Sequence, residues 1–268
     1  MSATAMDNVR SATPGQVRRS PSVPAHWPIR HHVAAAETTP AGPLHSVEVT
    51  VPAKTNLTLH VGPAHEEWGG RHALDTIYCA IGVNDVVTAT AKTPGSGFSL
   101  ELSGEHLGDL ASSGSDMRRN HAVLALFAIA RAARREPDVA LHVDKHIPVG
   151  AGLGGGSADA AATLLAVNTL WGLHWPIERL RDIAATLGAD MPFCLEGGYA
   201  HGTGFGERII PLEDDSSCVQ TLRDRGFAGQ LLVGAYHAQL STPNVYSTFD
   251  KMLSLIHISE PTRRTPIS

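Results

Sequence analysis

From Ser46 onward, apolar and polar positions alternate. Val47, Val49 and Val51 sit between polar neighbours, and Leu57, Leu59 and Val61 repeat the pattern after Pro52-Ala-Lys-Thr55. A period of two marks a half-buried strand, so two strands with a break between them are expected. The period then lengthens. Residues 116–135 read as a helix with Val123, Leu124, Phe127 and Ala128 on its apolar side, and Arg131, Arg134 and Arg135 suit its C-terminal dipole. Ala140–Val143 reads as a short strand that runs through Lys145 toward Val149, and Ser157–Trp171 as an Ala/Leu helix. Pro176 opens another helix at its favoured first position; Ile177, Leu180, Ile183, Ala184 and Leu187 form the apolar face, and Gly188 ends it. Gly197–Leu212 and Gln230–Ala235 read as further strands. Strands and helices mix without regular βαβ alternation, which makes the class α+β.

Both ends depart from this pattern. Residues 1–45 lack hydrophobic periodicity and are punctuated by Pro14, Pro21, Pro24, Pro28, Pro40 and Pro43, so a disordered extension is expected. It has no apolar segment of the secretory kind. At the other end, a helix-like stretch over Val245–Met252 gives way abruptly to Leu253-Ser-Leu-Ile-His-Ile-Ser-Glu-Pro-Thr-Arg263. That string resembles translated read-through of a sequencing adapter. On this reading residues 253–268 are foreign, the natural chain continues past Met252, and the polypeptide as written is poorly stable or inactive.

Composition narrows the class. The 268 residues are 43% hydrophobic and 18% charged, enough apolar material for a proper core. A formal net charge of −5 argues against a general nucleic-acid binder. No apolar run approaches the roughly 18 residues of a membrane span. Cys79, Cys194 and Cys218, odd in number and widely spaced, suit neither a disulfide framework nor a tetrahedral zinc site. The expected protein is soluble and cytoplasmic, with no nucleic-acid or membrane partner, as a monomer or weak homodimer.

The strongest local signal is Pro148, Val149, Gly150, Ala151, Gly152, Leu153, Gly154, Gly155 and Gly156, running straight into Ser157, Ala158 and the Ala/Leu helix. Glycines let successive backbone N–H groups converge, and the free amides and dipole of the helix start add positive potential. Such a nest suits phosphate oxygens. A Walker A loop would need Lys before its Ser or Thr, and Gly156 precedes Ser157 directly. Gly150, Gly152 and Gly155 formally match the dinucleotide fingerprint, but its acidic partner is missing: Glu178 falls in the first turn of a helix. A plain flexible linker fits poorly between a proline and a strong helix.

This loop resembles the phosphate-binding motif of the galactokinase, homoserine kinase, mevalonate kinase and phosphomevalonate kinase superfamily. Four other segments resemble that superfamily in the same order: Val51-Pro-Ala-Lys-Thr-Asn56, Gly70-Arg-His-Ala-Leu74, Leu187-Gly-Ala-Asp-Met-Pro192 and Ser241-Thr-Pro-Asn-Val-Tyr246. The resemblance spans about residues 47–251. It implies a two-domain small-molecule kinase, with a ribosomal-S5-like N-terminal domain over residues 46–195 and an incomplete ferredoxin-like domain over 196–252. It also implies ATP and Mg2+ as cofactors and a small cytidyl-diphosphate alcohol as acceptor, in non-mevalonate isoprenoid synthesis. Runner-up readings are a sister kinase of the homoserine or mevalonate type, or an inactive ATP-binding module.

Residue roles follow from the same resemblance. Asp190 takes the proton of the acceptor hydroxyl, and Lys54 polarises that hydroxyl beside the γ-phosphate. Asp190 reads locally as a turn residue after a helix end, and Lys54 as a residue in the break between two strands, free to point into a cleft. Residues 148–158 hold the nucleotide, Asn120 and Lys145 lie near its adenine and phosphates, and Ser157 is the candidate magnesium ligand. His72 contacts the cytosine edge, Asn56 the sugar-phosphate region, and Thr242 and Tyr246 the cytidine. One departure stands out: the usual Asp-Gly-Tyr-His is here Gly69-Gly-Arg-His72, so Arg71 replaces an aromatic side chain. Cys194 is read as a core residue.

Overall fold

A computed structural model describes residues 32–35, 45–105, 107, 117–227, 229, 231–234 and 242–259, with side chains from residue 45 to residue 234 and from 244 to 252. Its strands are β1 (His32–Ala35), β2 (Ser46–His65), β3 (Arg71–Ala91), β4 (Ser99–Gly104), β5 (Val139–Lys145), β6 (Tyr199–Thr203) and β7 (Arg208–Leu212). The helices are α1 (His121–Ala133), α2 (Gly155–Leu170), α3 (Ile177–Leu187), α4 (Met191–Glu196), α5 (Ser217–Asp224) and α6 (Thr242–Ser259). This is the expected mixed α+β class.

The strands form one sheet in the order β1-β2-β3-β5-β4, antiparallel except where β4 runs parallel to β5. Both β2 and β3 are long enough to be shared. The far half of β3 pairs with β5 over residues 86–91, while its near half pairs with β6 over residues 76–79, and β7 extends that side. The expected alternation fills the core: Val47, Val49, Val51 and Ala53 are all fully buried. Helix α2 packs on β2, β3, α1 and α4, so apolar residues line it on every side rather than along one stripe. Its small Ala158, Ala160, Ala161 and Ala162 let it approach the sheet closely, and Leu164 and Val167 fill the space between.

Several sequence expectations need correction. There is no break at Lys54: β2 runs continuously from Ser46 to His65 and absorbs Pro52 and Ala53 at a bulge, where the β3 register shifts. Strands β3 and β4 were not anticipated. In β3, glycine and polar residues such as Gly82, Asn84 and Asp85 interrupt the alternation. The helix expected over 116–135 is α1, preceded by a 3-10 turn at Met117–Arg119, and Asp116 lies outside the described residues. Within the N-terminal extension His32–Ala35 pairs with β2 as a strand, and the other residues before 45 lie outside the described ones. Leu231–Gly234 forms no strand, while Gln230 and Ala235 lie outside the described residues. Pro176 is the cap residue just before α3 rather than its first turn. Among the described residues no helix is long and apolar enough to cross a membrane.

Candidate active site

Lys54 lies inside β2, and β3 runs beside it with Tyr78 on its own strand face. Asp190 immediately precedes α4 without a side-chain capping bond, which leaves its carboxylate free for other partners, and Pro192 permits a sharp start after α3. The fold brings these distant residues together: Lys54 Nζ is 3.1 Å from Asp190 Oδ2. Asn56 Oδ1 accepts from the same ammonium at 3.0 Å, and Asn56 Nδ2 donates to Thr76 Oγ1 at 2.7 Å. The other carboxylate oxygen, Asp190 Oδ1, accepts from the Tyr78 hydroxyl at 3.0 Å. Burial first, and then the Asp190 charge, pushes the Tyr78 phenol well above its usual range, so it stays a donor. Asp190 keeps about a third of its side chain exposed while Lys54 is nearly covered. The carboxylate is therefore reachable from solvent, with its cation already in place.

Beside this pair lies a cavity of roughly 280 Å3, lined by residues 148–156 together with Asn120, His121, Lys145 and Asp159. The loop is tied to β2, since the Lys54 backbone N–H donates to Leu153 O at 2.9 Å. Gly154 must be glycine twice over. Its φ of +72° is left-handed, and a Cβ there would lie 2.8 Å from Lys54 Cγ. At Gly156 a Cβ would collide with the His121 ring. Burial holds the His121 imidazole below its ordinary range, and the nearby Lys145 ammonium adds to this.

Of the expected nucleotide residues, 148–156 line the cavity. Ser157 is half-buried on the first turn of α2, and Ala158 is fully buried against the sheet. The Ala158 side chain turns toward the sheet, and its backbone N–H donates to Gly154 O at 2.9 Å. Asn120 reaches the cavity as the N-cap of α1, its Oδ1 accepting from the Ala122 amide at 2.9 Å. Lys145 also lines it, but its ammonium is buried and paired with Asp85 and, at 2.7 Å, with Asp159. Burial alone would lower the Lys145 pKa; the two carboxylates outweigh it and raise it. Burial pushes the Asp159 carboxyl up while the Lys145 ammonium pulls it back down, and its Oδ1 has no hydrogen-bond partner.

Of the residues expected to contact the acceptor, His72 is buried, with Nδ1 2.8 Å from Gly62 O and Nε2 3.1 Å from Asp250. The Tyr246 ring stacks on it at 5.2 Å. The Thr242 side chain lies outside the described residues. Arg71 lays its guanidinium over the Phe205 ring, 4.4 Å from its centre. Cys194 is buried as expected, and burial raises its thiol pKa. The residues that sequence reasoning missed are Tyr78, Asp85, His121 and Asp159. Only Asp159 carried a local signal, as an acidic residue inside the glycine-loop helix; Tyr78 and Asp85 sit on the unanticipated β3.

A glycine loop feeding a buried helix, beside a lysine–carboxylate pair, defines a small-molecule kinase of the galactokinase, homoserine kinase and mevalonate kinase type. In agreement, residues 120–198 match the model of the GHMP kinases N terminal domain. The chain is 73% identical over 209 residues to a 4-diphosphocytidyl-2-C-methyl-D-erythritol kinase of Bifidobacterium adolescentis, covering 78% of this chain and 68% of that one. It is 42% identical over 218 residues to the enzyme of the same name from Streptomyces avermitilis, covering 81% of this chain and 66% of that one. Among solved structures, a crystal structure of 4-(cytidine 5'-diphospho)-2C-methyl-D-erythritol kinase matches at 36% identity with a TM-score of 0.48, covering 62% of this chain and 55% of that one. The chain belongs to the 4-diphosphocytidyl-2-C-methyl-D-erythritol kinase family. It spans about two thirds of the length of the curated relatives it matches.

Proposed function

We propose that this chain transfers the γ-phosphoryl group of ATP to the 2-hydroxyl of 4-diphosphocytidyl-2-C-methyl-D-erythritol, a step of non-mevalonate isoprenoid synthesis. The observation that carries the reading is the 3.1 Å contact of Lys54 with Asp190 beside the glycine-lined cavity. Phosphoryl transfer asks little covalent chemistry of a protein; it asks for alignment and for neutralised charge. Asp190 is the base that receives the acceptor proton, one oxygen steadied by Tyr78 and the other by Lys54. The Lys54 ammonium, aimed by Asn56, faces the charge that builds as the phosphoryl group moves. The loop amides and the α2 N-terminus hold the phosphates of the donor.

The donors around the loop suit a magnesium ion that arrives with the nucleotide. Mg2+ keeps several waters and takes most of its other ligands from substrate phosphates. Among the described residues there is no cluster of three His, Cys, Asp or Glu that would form a dedicated cage. Ser157, on the first turn of α2, is the side chain that would hold it, and when bound it neutralises phosphate charge. Free cysteines, two of the three buried, favour a reducing cytoplasm as the place of action.

A coupled ADP-release assay tests the reading. The cytidyl acceptor is offered beside homoserine and mevalonate, with ATP and magnesium. Turnover with the cytidyl acceptor alone supports the proposal; preference for either other alcohol overturns the substrate, and ATP binding without any turnover overturns the activity.

A further inference from the structure

The glycine loop starts where a strand ladder stops. The β3–β5 pairing ends at Val86 and Asp144, so one residue on, Asp85 would face Lys145. β3 has just passed an irregularity here, because Pro52 pairs with Asn84 while the next residue, Ala53, pairs with Ile81. The backbone pairing gives out, and a side chain takes its place. Asp85 Oδ1 accepts from two successive amides, His146 at 2.6 Å and Ile147 at 2.8 Å, and its Oδ2 pairs with the Lys145 ammonium. Those are the last donors before Pro148, which has no amide proton to offer. Lys145 in turn holds Asp159, the fifth residue of α2. One buried cluster therefore joins β3, the end of β5 and the start of α2, the two arms between which the loop is strung.

We propose that Asp85 is a positioning residue of the nucleotide site, fixing the loop's two arms at the spacing that makes its amides converge, and that Lys145 acts on Asp85 and Asp159 rather than on a phosphate. The inference rests on the kinase reading of the cavity. Three observations carry it. Asp85 is fully buried and satisfies both loop-entrance amides as well as the lysine. Lys145 is 1% exposed and already bridges two carboxylates. The loop rests directly on that ammonium, since a Cβ at Gly155 would lie 3.2 Å from Lys145 Nζ. A buried ion cluster adds little net stability over well-packed apolar side chains, so its return is a fixed geometry. Moving the lysine moves the loop.

The test uses the whole 268-residue chain with ADP as the probe. Asp85→Asn keeps the shape and the amide acceptor but cannot hold the ammonium. We expect its ADP affinity to fall about tenfold and its KM for ATP to rise alike, with kcat and the acceptor KM changed by less than about threefold. Lys145→Arg keeps the charge with a longer, forked head: a phosphate ligand would tolerate it, whereas a wedge beneath Gly155 displaces the loop and weakens ADP about tenfold. If Asp85→Asn does not fold, Lys145→Arg decides the question together with amide exchange at His146 and Ile147, expected to be slow in the unaltered chain. ADP affinity within about twofold of the parent for Asp85→Asn or Lys145→Arg overturns the inference, as does fast exchange at both amides. An unaltered chain that binds no ADP overturns the kinase reading together with it.

Discussion

The Tyr78 hydroxyl donates to Asp190 Oδ1 at 3.0 Å, and the ring that carries it stacks on Phe193 at 4.8 Å. Phe193 follows Asp190 by three residues on α4, so the ring contact and the hydrogen bond orient the same segment. Tyr78→Phe removes the bond and keeps the stack. Because hydrogen bonds to charged groups contribute about 1.5–3 kcal/mol to stability, the melting temperature should fall by several degrees, and kcat should fall with it as the carboxylate loses its fixed orientation. Steady-state kinetics beside a thermal melt would check this; a large loss of stability with kcat intact would count against it.

Asp190→Asn keeps the side-chain volume and removes the base. Turnover should drop by about 10²–10⁴ while ADP binding, measured by calorimetry, stays within about threefold. Lys54→Met should also abolish most turnover, because it removes the cation that pairs with the carboxylate and that, in the proposed reaction, faces the phosphoryl group. More than half of the activity retained in either variant would refute its role.

Gly154→Ala combines two faults, a left-handed φ of +72° and a methyl 2.8 Å from Lys54 Cγ. The backbone fault alone costs about 1 kcal/mol, and the clash must push the lysine off Asp190 or the loop off the cavity. The expected outcome is loss of both ADP affinity and kcat. Gly97→Ala makes a useful control: its φ of +66° is also left-handed, but a Cβ there meets nothing within 4 Å. It should lower the melting temperature a little and leave the kinetics alone.

A pH effect follows from His121. Its folded pKa lies below the ordinary value of 6.5, chiefly through burial, so the unfolded chain takes up the proton first as pH falls. The stability contributed by its neutral ring is present above that ordinary value and is lost as pH falls toward the folded value. Urea midpoints measured from about pH 8 down to about pH 5 should decline more steeply for the parent than for His121→Gln. Equal slopes would show that His121 does not titrate as its surroundings imply.

The sequence made some parts of this molecule plain and hid others, for identifiable reasons. Strand β2 was legible because its alternating valines face one core, and the glycine loop because only a demanding backbone needs glycine at that density. Lys54 and Asp190 could be paired from motif order, yet the local setting assigned to Lys54 was wrong. Pro52 reads as a breaker, whereas the β2–β3 bulge lets it stay inside the strand. β3 escaped notice because it serves three partner strands and buries polar residues: Thr76 supports Asn56, and Asp85 supports the loop. Polar positions in a strand look like surface until their partners are known, and those partners lie far away along the chain. That is also why Tyr78 and Asp85 carried no signal of their own.

Lys54 touches the glycine loop with its peptide N–H and the Asp190 carboxylate with its amine. One residue thus acts as a ruler: the loop and the carboxylate stand apart by the reach of a lysine side chain from its own backbone, and in the proposed reaction that reach sets the gap between donor and acceptor. In the proposed reaction, an alcohol oxygen seated one bond too shallow or too deep would miss that mark, however well the rest of the molecule is gripped.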